Sequence, residues 1–344
     1  MDYACTVLVI DCVVDAQEGM FSPFEIGLTH EADGSLIEIV VAPAPKVTAP
    51  PDADETLESG RAQTRQSCKP AVSYGWDFHP RLISLGIWED TYLETRPAAT
   101  WLNYVEVAYD LADDYSSADL RLIAGGSATR LRWTLRDPAG ALAATQEGAP
   151  ETLVIHVDQP ELWWPITEVA PALYTSTVET HDADGQTAQT ISQRVGLRRI
   201  RLVMAPGQYE LEGDLPSSQQ PVPITFKVNG REIFIRGPNW APPEIFPGTL
   251  TAERYGEQLA LFAEANSNLL RAWGGASVNK KTFFKQCDEL GLLVWQEVQL
   301  ACNRCDDIPA YLRVLDQESR YNLRRRRLHA CIAQWCACNE LFNS

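Results

Sequence analysis

No stretch of the 344 residues approaches the roughly 20 consecutive apolar side chains that a membrane helix needs, so no helical span is expected. Residues 1–10 offer neither a basic start nor a long apolar run ending in a small-residue cleavage site, so no signal peptide is expected. Charged residues are scarce at 22%, and no long run carries one sign, which argues against wholesale disorder. Basic residues fall short of acidic ones, 29 against 46, for a formal charge of −17. An acidic surface of that size disfavours nucleic acid and anionic membrane as partners and does not repel a neutral sugar. A regular cysteine framework is also missing: there are nine cysteines, an odd number. Reduced thiols and a cytoplasmic location are the simplest reading. Two close pairs, Cys302/Cys305 and Cys336/Cys338, have C-x2-C and C-x-C spacing. The first arises often by chance and the second suits zinc poorly, so no metal is expected.

What is present is apolar residue enough, at 45%, for two or three domains, together with ten tryptophans. Residues 1–97 read as short strands, with β-branched runs over 7–10 and 36–41. After those two runs, 42–68 is rich in Pro, Asp, Glu, Ser and Thr, as a surface loop or partly disordered insertion would be. Residues 98–203 offer strands over 104–109, 120–123, 130–135, 152–157, 174–179 and 187–195 at near-regular spacing, which suggests an immunoglobulin-like sandwich. A polar connector spans 204–222. Beyond it strands alternate with helices. Strands are predicted over 232–235, 268–273, 292–298 and 331–336. The first helix is capped by Thr251 and faces inward through Tyr255, Leu259, Phe262 and Ala263. The second, over 280–290, faces inward through Phe283, Phe284, Cys287 and Leu290, and the third spans 311–328. That order implies parallel strands with crossover helices. The 141 residues from 204 to 344 supply about half of a (β/α)8 barrel, which takes about 250.

Several segments carry a more specific likeness. These are Phe226-Lys-Val-Asn-Gly-Arg-Glu-Ile-Phe-Ile-Arg-Gly-Pro-Asn-Trp240, Asn268-Leu-Leu-Arg-Ala-Trp-Gly-Gly275, and Cys287-Asp-Glu-Leu-Gly-Leu-Leu-Val-Trp-Gln-Glu297 with Ala301-Cys302 after it. The last is His329-Ala-Cys-Ile-Ala-Gln-Trp-Cys-Ala-Cys-Asn-Glu340. In order and spacing they resemble the β-mannosidase branch of glycoside hydrolase family 2. Upstream, Tyr74-Gly-Trp-Asp-Phe-His-Pro80 with Gly86-Ile-Trp88 resembles that branch's jelly-roll sugar-binding domain. Glu161-Leu-Trp-Trp-Pro165, Leu173-Tyr174 and Gly196-Leu-Arg198 resemble its sandwich. Phe78-His79 stands where the family has Trp-Gly, and Cys336-Ala337-Cys338 where it is richer in glycine.

The resemblance implies three domains: a partial jelly roll over 1–97, an immunoglobulin-like sandwich over 98–203, and the first half of a TIM barrel over 204–344. It implies a retaining glycosidase that releases terminal, non-reducing β-D-mannose, without a cofactor. Its substrates would be β-mannosides, manno-oligosaccharides or glycoprotein glycans. Retention needs two carboxyl groups about 5–5.5 Å apart. By resemblance Glu340 is the acid/base and Asn339 binds the sugar 2-hydroxyl. Arg271, Trp273 and Trp240 line the sugar pocket, and Trp76 and Asp77 reach over it from the first domain. No residue matches the family's nucleophile, so the chain is expected to be a truncated front part, inactive alone. Endo action on mannosylglycoproteins and a purely carbohydrate-binding role stay open, as does the oligomeric state. The basic run 324–327 reads as a solvated or salt-bridged helix face. Trp163 and Trp164 read as sandwich packing, and Glu297 as support for the pocket floor.

Overall fold

The computed structural model describes residues 1–28, 34–47, 57–96, 100–182, 184–204, 224–303 and 305–341. Nearly all of the 204–222 connector and the middle of the 42–68 stretch lie outside these residues. In the first segment, β1 (Ala4–Val9) turns into β2 (Cys12–Glu18) through Ile10 and Asp11, and β3 (Ile37–Ala42) pairs on its other edge, all antiparallel. Cys5, Val7 and Val9 alternate onto the buried face of β1. Then come a short helix, α1 (Leu57–Ala62), and a 3-10 turn over Ala71–Tyr74. Of the 42–68 stretch, 43–47 is a mostly exposed loop, as expected, but the far end is not. Ser67, Cys68 and Lys69 are all buried, and Cys68 shares an apolar cluster with Tyr3, Trp88, Tyr311 and Val314. Contacts from 240 residues away bury it, and a local polar composition cannot reveal them.

Seven strands follow: β4 (Leu102–Leu111), β5 (Ser117–Gly126), β6 (Leu131–Arg136), β7 (Leu142–Gly148), β8 (Val154–Asp158), β9 (Tyr174–His181) and β10 (Thr187–Val195). They form two antiparallel sheets, β4-β5-β8 and β10-β9-β6-β7. Both face one core, in which Leu120 and Ile155 of the first meet Trp133, Leu135 and Val178 of the second. Trp133 is fully buried and donates its indole N–H to Ser176 Oγ at 2.9 Å. Strand β7 has no counterpart in the sequence reading. Its residues are mostly half-exposed and carry little apolar alternation.

β11 (Ile200–Met204) leaves the sandwich and pairs with β12 (Ile224–Val228), which turns through Asn229-Gly230 into β13 (Arg231–Ile233). Both turn residues have positive φ, 47° and 82°, the conformation of a tight hairpin. The strand predicted over 232–235 is therefore the return arm of this hairpin, not the first of the parallel series. That series begins at the two-residue β14 (Asn239–Trp240).

The last region is a parallel sheet. After β14 come α2 (Ala252–Glu264), β15 (Leu269–Ala272), α3 (Lys281–Leu290), β16 (Leu293–Glu297), α4 (Pro309–Arg326) and β17 (Ile332–Cys336). The strands lie in chain order, β14-β15-β16-β17. Thr251 caps α2 by accepting the Arg254 N–H at 3.2 Å. Tyr255 and Leu259 of α2 and Phe283, Phe284 and Cys287 of α3 are buried against the sheet, as their helical spacing predicts. Trp163 is fully buried and bridges regions, donating its indole N–H to the Asp288 carbonyl at 2.8 Å. It packs with Val228, Leu269 and Leu293, so it joins the sandwich to the parallel sheet and does not fill the sandwich core.

Helix α4 ties the whole together. Glu318 accepts the backbone N–H groups of Phe21 at 2.5 Å and Ser22 at 3.1 Å. Arg325 pairs with Glu89 at 3.2 Å, and Arg327, just past the helix, pairs with Glu106 of β4. Of the basic run, Arg325 and Arg327 thus make salt bridges to distant segments and Arg324 is exposed, while Arg326 is buried over the Phe284 ring and donates to Asn322 at 2.6 Å.

Candidate functional site

The four parallel strands end on one edge of the sheet, and their last residues converge there. Strand direction decides this: in a parallel sheet every carboxyl end points the same way, and the loops beyond carry side chains into a common space. Arg271, near the end of β15, sits at the centre. Its Nε and Nη2 reach Glu297 Oε1 of β16 at 2.8 and 2.6 Å. Nη1 donates to Asn239 Oδ1 of β14 at 3.1 Å, and Nη2 to Asn339 Oδ1 beyond β17 at 2.6 Å. One guanidinium therefore holds groups from all three other strands, which its planar five-donor fork permits and an ammonium does not. Glu297 is completely buried, and its second oxygen accepts the Gly274 N–H at 2.9 Å. It ties Arg271 to the Gly274 main chain. A side chain at Gly274 would overlap the Val298 carbonyl, so only glycine permits this approach of two strand ends.

Asn339 extends the network. Its Nδ2 donates to Cys302 Sγ at 3.1 Å, and the thiol donates to Glu340 Oε2 at 3.4 Å. The main chain repeats the link: Cys302 N–H donates to the Asn339 carbonyl at 2.9 Å, and Asn339 N–H to the Leu300 carbonyl at 2.8 Å. Glu340 is exposed, but not on a loose tail, since its carboxylate is at the end of this string. Burial and then the Glu340 carboxylate push the Cys302 thiol up to about 11, so it stays protonated at neutral pH.

An aromatic wall stands beside the string. Trp273 is buried in a cluster with Val72, Ala276, Ala301 and Cys302. The Trp76 ring meets it edge-on at 4.8 Å, and the Phe78 ring lies 6.2 Å away. Trp76 is half-buried, while Asp77 and Phe78 are exposed. On Trp76 lies the guanidinium of Arg61, 4.2 Å from the ring centroid. Val72 N–H donates to the Gly275 carbonyl at 3.1 Å, seating this first-segment turn on the loop after β15.

Five of the seven predicted site residues are thus assembled at one edge, Trp76, Arg271, Trp273, Asn339 and Glu340, while Asp77, next to Trp76, is exposed. Trp240 is a correction. Its ring is buried on the helix side of the sheet, against Phe262 and Phe283 at 5.7 and 5.2 Å, and its N–H is spent on Asn279 Oδ1 at 3.0 Å. Both faces of a parallel sheet are covered, so a residue type gives no sign of which face it takes. Cys302 and Arg61 are the residues that sequence reasoning gives no role. Ala301-Cys302 lies in a matched segment, which was the one available signal. Arg61 carries none.

As a metal centre, the described residues bring one ligand atom each from Asp288, His329 and Cys331 within 4.8 Å of one another. Those atoms are already used locally. Asp288 Oδ2 is 2.5 Å from His329 Nδ1, and Oδ1 accepts the Cys331 N–H at 2.8 Å. The cluster pins α3 to the start of β17, well away from the edge that carries Glu340.

Comparison with known proteins agrees with this architecture. The family model for glycosyl hydrolases family 2 matches residues 100–198. A β-mannosidase B of Aspergillus terreus is 31% identical over 280 residues, 79% of this chain and 31% of that protein. A β-mannosidase B of Thermothelomyces thermophilus is 28% identical, covering 99% of this chain and 40% of that one. The crystal structure of a β-D-mannosidase from Dictyoglomus thermophilum superposes with a TM-score of 0.73 at 23% identity, over 98% of this chain and 42% of that one. The chain thus spans less than half the length of these relatives. By sequence it is similar to the glycosyl hydrolases of family 2, and its fold agrees. More narrowly, it is a β-mannosidase-like protein.

Proposed function

We propose that this chain provides the acid/base side of a retaining glycosidase that removes terminal, non-reducing β-D-mannose from β-mannosides, manno-oligosaccharides or glycoprotein glycans. The observation that carries the reading is the unbroken string Arg271–Asn339–Cys302–Glu340 along the carboxyl ends of the parallel strands, with Trp273 and Trp76 beside it. In this reading Glu340 protonates the leaving oxygen and then activates water. Asn339, held by Arg271, binds the sugar 2-hydroxyl. Trp273 and Trp76 contact the ring, and Asp77 accepts from its outer hydroxyls. The four strands are the first half of a (β/α)8 barrel over 204–344, entered from an immunoglobulin-like sandwich over 98–203. Residues 1–97 are a partial jelly roll. In-order parallel pairing of β14 to β17 supports the first of these, and two sheets around one core the second.

A retaining mechanism also needs an attacking carboxylate. Glu297 is unsuited to that part, because both its oxygens are bound and its side chain has no exposure. The 344 residues alone are therefore expected to be inactive. That same shortage favours a second reading, sugar binding without cleavage.

The experiment is hydrolysis of aryl β-D-mannoside, β-D-glucuronide and β-D-galactoside by the 344 residues alone and by a full-length protein in which they are continued by the second half of a family 2 barrel. Preference for the mannoside is expected in the full-length protein, with Glu340→Gln lowering kcat by about 10²–10⁴-fold on a poor leaving group. Preference for another glycoside, or indifference to Glu340→Gln, sinks the reading. Mannose binding lost in Trp76→Ala, with no turnover by the full-length protein, supports the second.

A further inference from the structure

We propose that Cys302 is a positioning residue for Glu340, fixing its carboxylate and the Asn339 amide as one unit, and that the first segment holds Cys302 in place. The inference rests on the reading of Glu340 as the acid/base. Among the described residues, the Cys302 thiol is the one hydrogen-bond partner of the Glu340 carboxylate, at 3.4 Å. The same sulfur accepts from Asn339 Nδ2 at 3.1 Å, so a single atom sets the spacing of the two side chains. Main-chain bonds from Asn339 to Leu300 and Cys302, which make the parallel bridge between Ala301 and Asn339, lock the two loops together. Cys302 and Glu340 both have positive φ, 51° and 47°, a region that side chains other than glycine's rarely occupy. Such conformations persist where the surroundings over-determine them, as these cross-bonds do.

The grip on Cys302 comes from residues about 240 positions earlier. Asn303 Nδ2 donates to Thr64 Oγ1 at 2.6 Å and to the Arg61 carbonyl at 2.9 Å. Gln66 Nε2 donates to Asp306 Oδ2 at 2.7 Å, and Asp306 N–H to the Arg65 carbonyl at 3.0 Å. The chain is thereby fastened just after Cys302, at Asn303 and Asp306.

Sulfur suits the task. A guanidinium or ammonium in its place would form an ion pair and hold the carboxylate's proton off. A thiol is a weak donor and weak acceptor. It can orient a carboxyl group that must carry a proton in one half of the reaction and lack it in the other.

The test compares two aryl β-mannosides on the full-length protein. One is 2,4-dinitrophenyl, whose departure needs no proton, and the other is 4-methylphenyl, whose departure does. Cys302→Ala is expected to lower kcat/KM about tenfold or more on the second and under about threefold on the first, with Cys302→Ser partly restoring it. Equal loss on both, or no loss, overturns the proposal. If Glu340→Gln itself shows no such asymmetry, the acid/base reading has failed instead. A measurement that needs no turnover is the rate at which iodoacetamide alkylates Cys302 in the folded protein at pH 9. Burial alone would still raise the thiol, but Glu340→Gln removes the charge that adds to it, so a rise of several-fold is expected. An unchanged rate overturns the contact itself.

Discussion

Arg271 Nη2 donates to Asn339 Oδ1 at 2.6 Å, so the orientation of a residue near the end of the chain is set by a strand almost 70 positions earlier. The same guanidinium neutralises Glu297, whose side chain has no exposure at all. Structure and site thus share one cation. Arg271→Ala leaves a buried carboxylate with the Gly274 N–H as its remaining partner, a loss expected to cost about 3–5 kcal/mol in urea unfolding. Arg271→Lys should recover part of it, since charge returns but the fork does not. A cost under about 1 kcal/mol for the alanine variant would mean that the pair contributes little.

Gly274 offers a second handle on the same network. The Gly274→Ala side chain would overlap the Val298 carbonyl and push the N–H away from Glu297. Overpacking and a weakened charge-assisted bond together are expected to cost about 2–4 kcal/mol. Thermal unfolding measures it, and an unshifted Tm would refute the close approach.

Glu318 ties stability to pH. Burial pushes its carboxyl above the ordinary 4.5, although the N–H groups of Phe21 and Ser22 pull the other way. A raised carboxyl favours the folded state below 4.5, and that contribution is lost as pH rises through the folded value. Glu318→Gln cannot ionise, so its Tm should decline less than that of the wild type between pH 4 and 8. Parallel curves for the two proteins would contradict this.

Within the sandwich, Trp133→Ala removes a fully buried indole and is expected to cost about 3–5 kcal/mol. Ser176→Ala keeps the ring but strands its N–H, for about 1–3 kcal/mol. Chemical denaturation of the two variants should preserve that order. A larger loss from the serine change would show that packing matters less there than the hydrogen bond.

Much of this architecture is legible in the residues alone. Phe283, Phe284 and Cys287 face inward because helix geometry alone puts them on one stripe, and Thr251 caps α2 through a bond three residues long. β9 and β10 announce themselves by their β-branched residues on either side of the Asp182–Gly185 turn. What stays hidden is what distance decides. β2 begins after Ile10 and Asp11, a turn at positive φ with no glycine to mark it. Trp240 shares its type and segment with the site but faces the helices. Cys302 acquires its partners from the loop beyond β17, 37 and 38 residues later, and Asn303, next to it, from the end of α1 about 240 residues earlier. No local pattern encodes either.

Helix α4 also has a consequence in time. The backbone N–H of Phe21 finds its acceptor in Glu318, 297 residues further along. A ribosome adding about 5–20 residues per second takes roughly 15–60 s to cover that interval. Throughout it, the amino-terminal strands wait without the element that closes over them. The newborn chain therefore carries the apolar face of those strands uncovered for roughly 15–60 s, a window of exposure that the finished molecule no longer shows.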